Sequence, residues 1–209
     1  IIPPGLLNYG NSKKKQKYFS ESLSQVEPCL HIKQWLLYAG NPDSYQNLPM
    51  MNRAFQVVKK YHPDVGMLIV SNADAKRFSS YFEDGLNDIV FVNYSCEQEL
   101  FNWYKLASVA LVPRNQFFGF PVKLITYLQN FIPSVVVSRC WNQPILLGKN
   151  FSPILLTDDD PENFAAGIER LLSSQRELLD EDSFQQFISF FDIANQVDNY
   201  LKVYRSLLQ

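Results

Sequence analysis

Six short apolar runs punctuate the chain: Trp35–Ala39 (WLLYA), Met67–Val70 (MLIV), Ile89–Val92 (IVFV), Val109–Val112 (VALV), Ser134–Val137 (SVVV) and Ile154–Leu156 (ILL). Each is brief and apolar at consecutive positions, the pattern of a strand covered on both faces of a parallel sheet. Between them the spacing turns helical. Leu48, Met51, Phe55 and Val58 fall on one helix face, with Pro49 tolerated in the first turn. The stretches 74–83, 96–107, 121–130 and 161–173 supply the other crossovers. Strand–helix alternation repeated in this way predicts a doubly wound parallel α/β sheet with right-handed connections. The ends differ from the middle. Residues 1–34 read as an entry segment or linker, 35–190 as the α/β domain, and 191–209 as a closing helix. In that helix Ile193, Val197, Leu201, Tyr204 and Leu208 form an apolar stripe, expected to pack on its own domain or reach a neighbouring one.

Composition narrows the class. A chain of 209 residues with 46% apolar and 14% aromatic residues has ample material for a packed core. A formal charge of −2 leaves no global basic footprint, which argues against a nucleic-acid partner. Cys29, Cys96 and Cys140 form no CxxC pair, so a reducing, cytoplasmic setting is expected and a zinc site is not. The lysines of KKKQK at 13–17 read as a solvated loop, with association at a membrane surface as the alternative. The opening IIPPGLLNYG lacks an initiator Met, and the chain is expected to be part of a longer protein.

Ligands of open α/β sheets bind beyond the carboxyl ends of the strands, where the strand order reverses. The loops there hold small, hydrogen-bonding residues: Gly40-Asn41-Pro42-Asp43 after the first run, Ser71-Asn72-Ala73-Asp74 after the second, Asn93-Tyr94-Ser95 after the third. After the fourth comes Arg114-Asn115-Gln116-Phe117-Phe118-Gly119-Phe120-Pro121. Gly119 allows close backbone approach, and Pro121 at the first helical position presets the turn. The free N–H groups of Val122 and Lys123, with the helix dipole and the Lys123 ammonium, would favour a phosphate. A plain loop leading into a plain helix is the other reading of the same residues. No GxGxxG or GxxxxGK[ST] occurs, so dehydrogenase and P-loop readings fail. His62 in KKYHPD reads as a helix C-cap, and Asp158-Asp159-Asp160 as an N-cap rather than a cation site. Glu97 and Glu99 suit a helix N-terminus.

Taken in order, YAGNPDSYQNLPMMNRAF (38–55), MLIVSNADA (67–75), EQELFNWYKLASVALVPR (97–114) and GFPVKLITYLQNFIPSVVV (119–137) resemble the nucleotide-sugar half of GT-B glycosyltransferases. The likeness is to the retaining group 1, family-4-like enzymes that include many bacterial polysaccharide hexosyltransferases. IIPPG resembles their passage between domains, and FFDIANQVDNYLKVYRSLL (190–208) their closing helix. The resemblance implies a Rossmann-like C-terminal domain that holds the donor. Gly40 and Asn41 would approach the diphosphate or sugar. Asn72, Asn93 and Tyr94 would border the base. Gly119, Phe120, Pro121, Lys123 and Thr126 would line the diphosphate and sugar end. The implied activity is hexose transfer from a nucleotide diphosphate sugar to an acceptor hydroxyl, without a metal or other cofactor. The acceptor glycan or lipid would be bound by an N-terminal domain outside this chain.

Departures from the family pattern open a second reading. The family usually carries two glutamates where this chain has Phe118 and Thr126, a basic residue near Gln46, Gly in place of Phe131, and Asp in place of Ser108. A charged partner contributes about 1.5–3 kcal/mol against roughly 1 for a neutral one. The alternative is therefore a degenerate, non-catalytic domain acting as a structural or regulatory binding module. A nucleotide-sugar epimerase is disfavoured by the absence of a Tyr-x-x-x-Lys pair and a dinucleotide fingerprint.

Overall fold

The computed structural model describes Cys29, residues 31–82, 88–94, 96–116, 121–137 and 154–173, Gln185, Ser189 and residues 191–208. The KKKQK segment, Gly119, Phe120 and Cys140 lie outside the described residues. Six strands are present: β1 Gln34–Ala39, β2 Val65–Ser71, β3 Ile89–Asn93, β4 Ala107–Val112, β5 Ser134–Val137 and β6 Ile154–Thr157. All pair in parallel, in the order β3-β2-β1-β4-β5-β6. This is the doubly wound, Rossmann-like order, and its topological reversal falls between β1 and β4. The inner strands β1, β2 and β4 are buried almost throughout, whereas the edge strands β3 and β6 are half-buried.

Alternation of side chains along the strands builds two cores. Leu37, Leu68, Val70, Ala110 and Val112 face α2 (Glu97–Tyr104) and α3 (Val122–Gln129), packing with Trp103, Leu124, Tyr127 and Leu128. Leu36, Tyr38, Met67, Ile69, Val109 and Leu111 face α1 (Leu48–Tyr61) and α4 (Pro161–Ser173), packing with Met51, Phe55, Phe164 and Ile168. The expected crossover helix at 74–83 is absent. That stretch forms two 3-10 turns, Ala75–Arg77 and Ser79–Tyr81, the first capped by Asp74, whose carboxylate accepts from the Lys76 N–H at 2.9 Å. An Asp side chain that satisfies the amide two residues on favours such a tight turn. The 96–107 helix is also shorter than expected, because Ala107 already belongs to β4.

The C-terminus of α3 is a Schellman motif: Ile132 N–H bonds Tyr127 O and Phe131 N–H bonds Leu128 O, both at 3.0 Å. Phe131 occupies its left-handed position at φ 57°. An L side chain is disfavoured there, and half of this one is exposed. Phe131→Gly is expected to stabilise the fold by about 1 kcal/mol, seen as a melting temperature ~2–4 °C higher. An unchanged or lower value would contradict the assignment of strain.

At the amino end of the sheet Asp88 accepts from Lys59 Nζ and contacts His31 Nε2 at 2.7 Å. Burial pushes the Asp88 carboxyl up, but the hydrogen bonds from Lys59 and His31 outweigh it and hold it below the usual carboxylate range. A depressed folded value gives stability that is present above the unfolded value of about 3.9 and is lost as pH falls through the folded one. In acid titrations followed by circular dichroism, Asp88→Asn should flatten the loss of stability below about pH 4 relative to the parent chain.

The closing helix is α5 (Ile193–Leu207). Of the two packings expected for its stripe, the one on its own domain is not seen among the described residues: Ile193, Val197, Leu201, Tyr204 and Leu208 are all exposed, as is Tyr200 beside them, and Gln196 is the buried residue. Asp192 caps it through the Ala194 N–H at 2.8 Å. Among the described residues, no helix is long and apolar enough to cross a membrane.

Candidate functional site at the strand-order reversal

The carboxyl end of β1 turns at Gly40, whose N–H reaches Val70 O at 3.0 Å. Its φ of +149° is open to glycine and strained for other residues. One residue earlier, Ala39 is pinned to α3 by the buried Tyr127 hydroxyl, which accepts from Ala39 N–H at 2.8 Å. One residue later, Asn41 O accepts from the Tyr38 hydroxyl at 2.8 Å. Burial, and then the nearby Asp43 and Tyr45, push the Tyr38 phenol far above its ordinary value, so it stays a neutral donor.

Into this turn reaches Lys123, from the first turn of α3. Its Nζ donates to Gln46 Oε1 at 3.0 Å and lies 4.2 Å from the centroid of the Tyr38 ring. A Cβ added to Gly40 would sit only 2.7 Å from that Nζ. Gln46 is itself buried, delivered by the 3-10 turn Ser44–Gln46. The ammonium is thus held at the β1/β4 reversal by an aromatic face and a side-chain carbonyl, a cation–π geometry that contributes about 0.5–2 kcal/mol.

A chain of hydrogen bonds ties the neighbouring loops to this centre. Ser71 Oγ donates to Asn41 Oδ1 at 3.2 Å and accepts from Ala73 N–H at 3.0 Å; Asn93 Nδ2 donates to Ala73 O at 3.2 Å. On the other flank Asp159, after β6, accepts from Asn47 Nδ2 at 2.6 Å and Asn115 Nδ2 at 3.0 Å. The Arg114 guanidinium lies 5.2 Å from the Tyr45 ring centroid and donates through Nε to Gln116 O at 2.7 Å. Three loops, after β1, β4 and β6, are therefore locked into one rim.

Gly40, Asn41 and Lys123 come together directly, and Asn93 joins them through Ala73 and Ser71. Pro121 is buried as the N-cap of α3 rather than its first helical residue, and Leu124 N–H bonds its carbonyl at 2.9 Å. Thr126 lies half-buried three residues beyond Lys123 on α3. Asn72 is exposed, and Tyr94 turns against the core on the α2 side. In the Asp158–Asp160 run, Asp160 is the cap of α4, accepting from Glu162 N–H at 2.7 Å. His62 caps α1 through its N–H to Val58 O at 2.9 Å. Tyr38 and Asp159 belong to this arrangement although the sequence reading gave them no place in it; Gln46 and Ser71, noted there only as loop positions, are part of it as well. The one signal for Tyr38 is a hydroxyl near the end of the apolar run WLLYA, two positions before Gly40. Chemically, the arrangement can offer the held Lys123 ammonium and the amino end of α3 to an anion above Gly40, which has no side chain to block it.

Comparison with known proteins bears on this geometry. Residues 33–174, more than half the chain, match the family model described as glycosyl transferases group 1. No curated protein sequence matches the chain. Among solved structures, sucrose-phosphate synthase from Thermosynechococcus elongatus superposes with a TM-score of 0.71 at 18% identity, over 99% of this chain and 52% of that one. An α,α-trehalose 6-phosphate synthase from Burkholderia multivorans gives 0.68 at 13% identity, over 94% and 46%. The trehalose-6-phosphate protein of E. coli bound with UDP-2-fluoro glucose gives 0.62 at 13% identity, over 88% and 49%. The chain therefore spans about half the length of these structures and shares the Rossmann-like half of their fold. With a matching model across most of its α/β domain, this chain belongs to the group 1 glycosyl transferase family.

Proposed function

We propose that this chain is the donor-binding half of a GT-B glycosyltransferase that passes a hexose from a nucleotide diphosphate sugar to an acceptor hydroxyl of a glycan or lipid. The observation that carries the reading is the Lys123 ammonium, held over the Gly40 turn at the strand-order reversal and at the amino end of α3. In the transfer step the sugar–phosphate bond breaks and negative charge grows on the departing diphosphate. A fixed cation and helix-end amides aimed at that charge stabilise it more than they stabilise the bound donor. The scheme contains no metal ion. The UDP-2-fluoro glucose bound by the E. coli protein favours a uridine nucleotide as the first donor to try.

The acceptor would bind a second, N-terminal domain. The exposed apolar stripe of α5 supports this arrangement, because a run of large apolar residues along one helix face suits burial against another domain. The isolated 209 residues are then expected to bind donor without transferring its sugar.

The second reading, a non-catalytic module, rests on Thr126 and Phe118 in place of the two carboxylates and on Gln46 in place of a base. Titration calorimetry with UDP, GDP and their hexose conjugates separates the two. Saturable binding supports the donor reading; no binding by this chain or by the intact two-domain protein supports the module.

A further inference from the structure

We propose that Tyr38 is a positioning residue, whose ring face, together with Gln46, presets the Lys123 ammonium over Gly40 for a pyrophosphate-type anion. The inference rests on the donor-site reading of Lys123. Tyr38 is fully buried on β1 within a cluster of aliphatic and phenylalanine side chains, where packing alone would be served by Leu or Phe. Instead its two polar features are both engaged at the mouth of the site: the hydroxyl holds Asn41 O at 2.8 Å, and the π face carries the Lys123 Nζ at 4.2 Å. Gln46 Oε1, at 3.0 Å, fixes the ammonium from the side.

The physical consequence concerns entropy. A lysine head on a four-carbon stem loses rotamer freedom when an anion captures it, and that loss weakens binding. Here folding has already immobilised the head, so the anion meets a cation that is in place. The ring holds the ammonium without itself neutralising it, because an aromatic face attracts a cation while carrying no net charge. The buried phenol, kept neutral, preserves that role across the physiological range.

The test uses Tyr38→Phe, which keeps the ring face, Tyr38→Leu, which removes it, and Lys123→Ala, with UDP and inorganic pyrophosphate as probes. By calorimetry Tyr38→Phe should bind UDP within about threefold of the parent chain, and Tyr38→Leu about tenfold more weakly. Adding Tyr38→Leu to Lys123→Ala should weaken binding no further, because the ring acts through the lysine. Independently, in chain labelled with 13C at lysine Cε, the Lys123 ε-methylene protons should show an upfield ring-current shift. That shift should persist in Tyr38→Phe and vanish in Tyr38→Leu. Should Tyr38→Leu fail to fold, Tyr38→Met, unbranched and flexible enough to fill the site, replaces it in both measurements. Full UDP binding by the ring-less variant, with Lys123→Ala impaired, would overturn the positioning role and leave the donor site standing. No binding by the parent chain would overturn both.

Discussion

Lys123→Ala should weaken binding of a nucleoside diphosphate by roughly ten- to a hundredfold, the loss of one charge-assisted contact of about 1.5–3 kcal/mol. The expectation follows from where the ammonium sits. It is the cation that the structure holds directly above the Gly40 turn, fixed by Gln46 and Tyr38 rather than swinging in solvent. The fold should tolerate the change, because Lys123 is only half-buried and α3 keeps its Schellman end and its Tyr127 anchor. Calorimetry with UDP, run beside a thermal melt, distinguishes lost contact from lost structure. Binding by the parent should also fall as salt rises, and that dependence should shrink in the variant. Affinity within threefold of the parent would remove Lys123 from the site.

Gly40→Ala should damage both stability and binding. The backbone at φ +149° costs an L residue on the order of 1–3 kcal/mol, so a melting temperature lower by ~2–12 °C is expected. The new methyl would also meet Lys123 Nζ at 2.7 Å and the Tyr38 hydroxyl at 3.3 Å. The lysine end is flexible and will move aside, which relieves the clash but vacates the place above the turn. UDP affinity should therefore fall about as far as in Lys123→Ala. In the Lys123→Ala background the same glycine substitution should lower the melting temperature and leave the residual affinity almost unchanged, since the cation it displaces is already gone. A Gly40→Ala protein with parental melting and parental affinity would contradict both the strain and the eviction.

Much of the architecture was legible in the residues. Runs such as MLIV and VALV are short, β-rich and apolar on both faces, and they sit inside β2 and β4, the latter on both edges lined by partner strands. The misreadings have local causes. At 74–83 the aromatic and polar spacing imitates a helix, but Asp74 takes the nearby Lys76 amide and closes a tighter turn. The stripe on α5 was plain in the sequence, while its lack of a packing surface on the described domain was not, because amphipathicity reports that a face will be covered and not by what.

Periodicity and loop chemistry, which are local properties, were enough to establish the doubly wound sheet, the glycine at the end of β1 and the lysine at the start of α3. That these two meet is a property of the strand order. Only with β4 beside β1 does a lysine 77 residues from Gln46 arrive at its carbonyl, and only then does Tyr38, two positions before Gly40, find a cation on its ring. The tie from Asp159 to Asn47, 112 residues away, is of the same kind. Contacts between segments so far apart leave no spacing in the chain to detect; the sheet topology brings them together, and with them the candidate site.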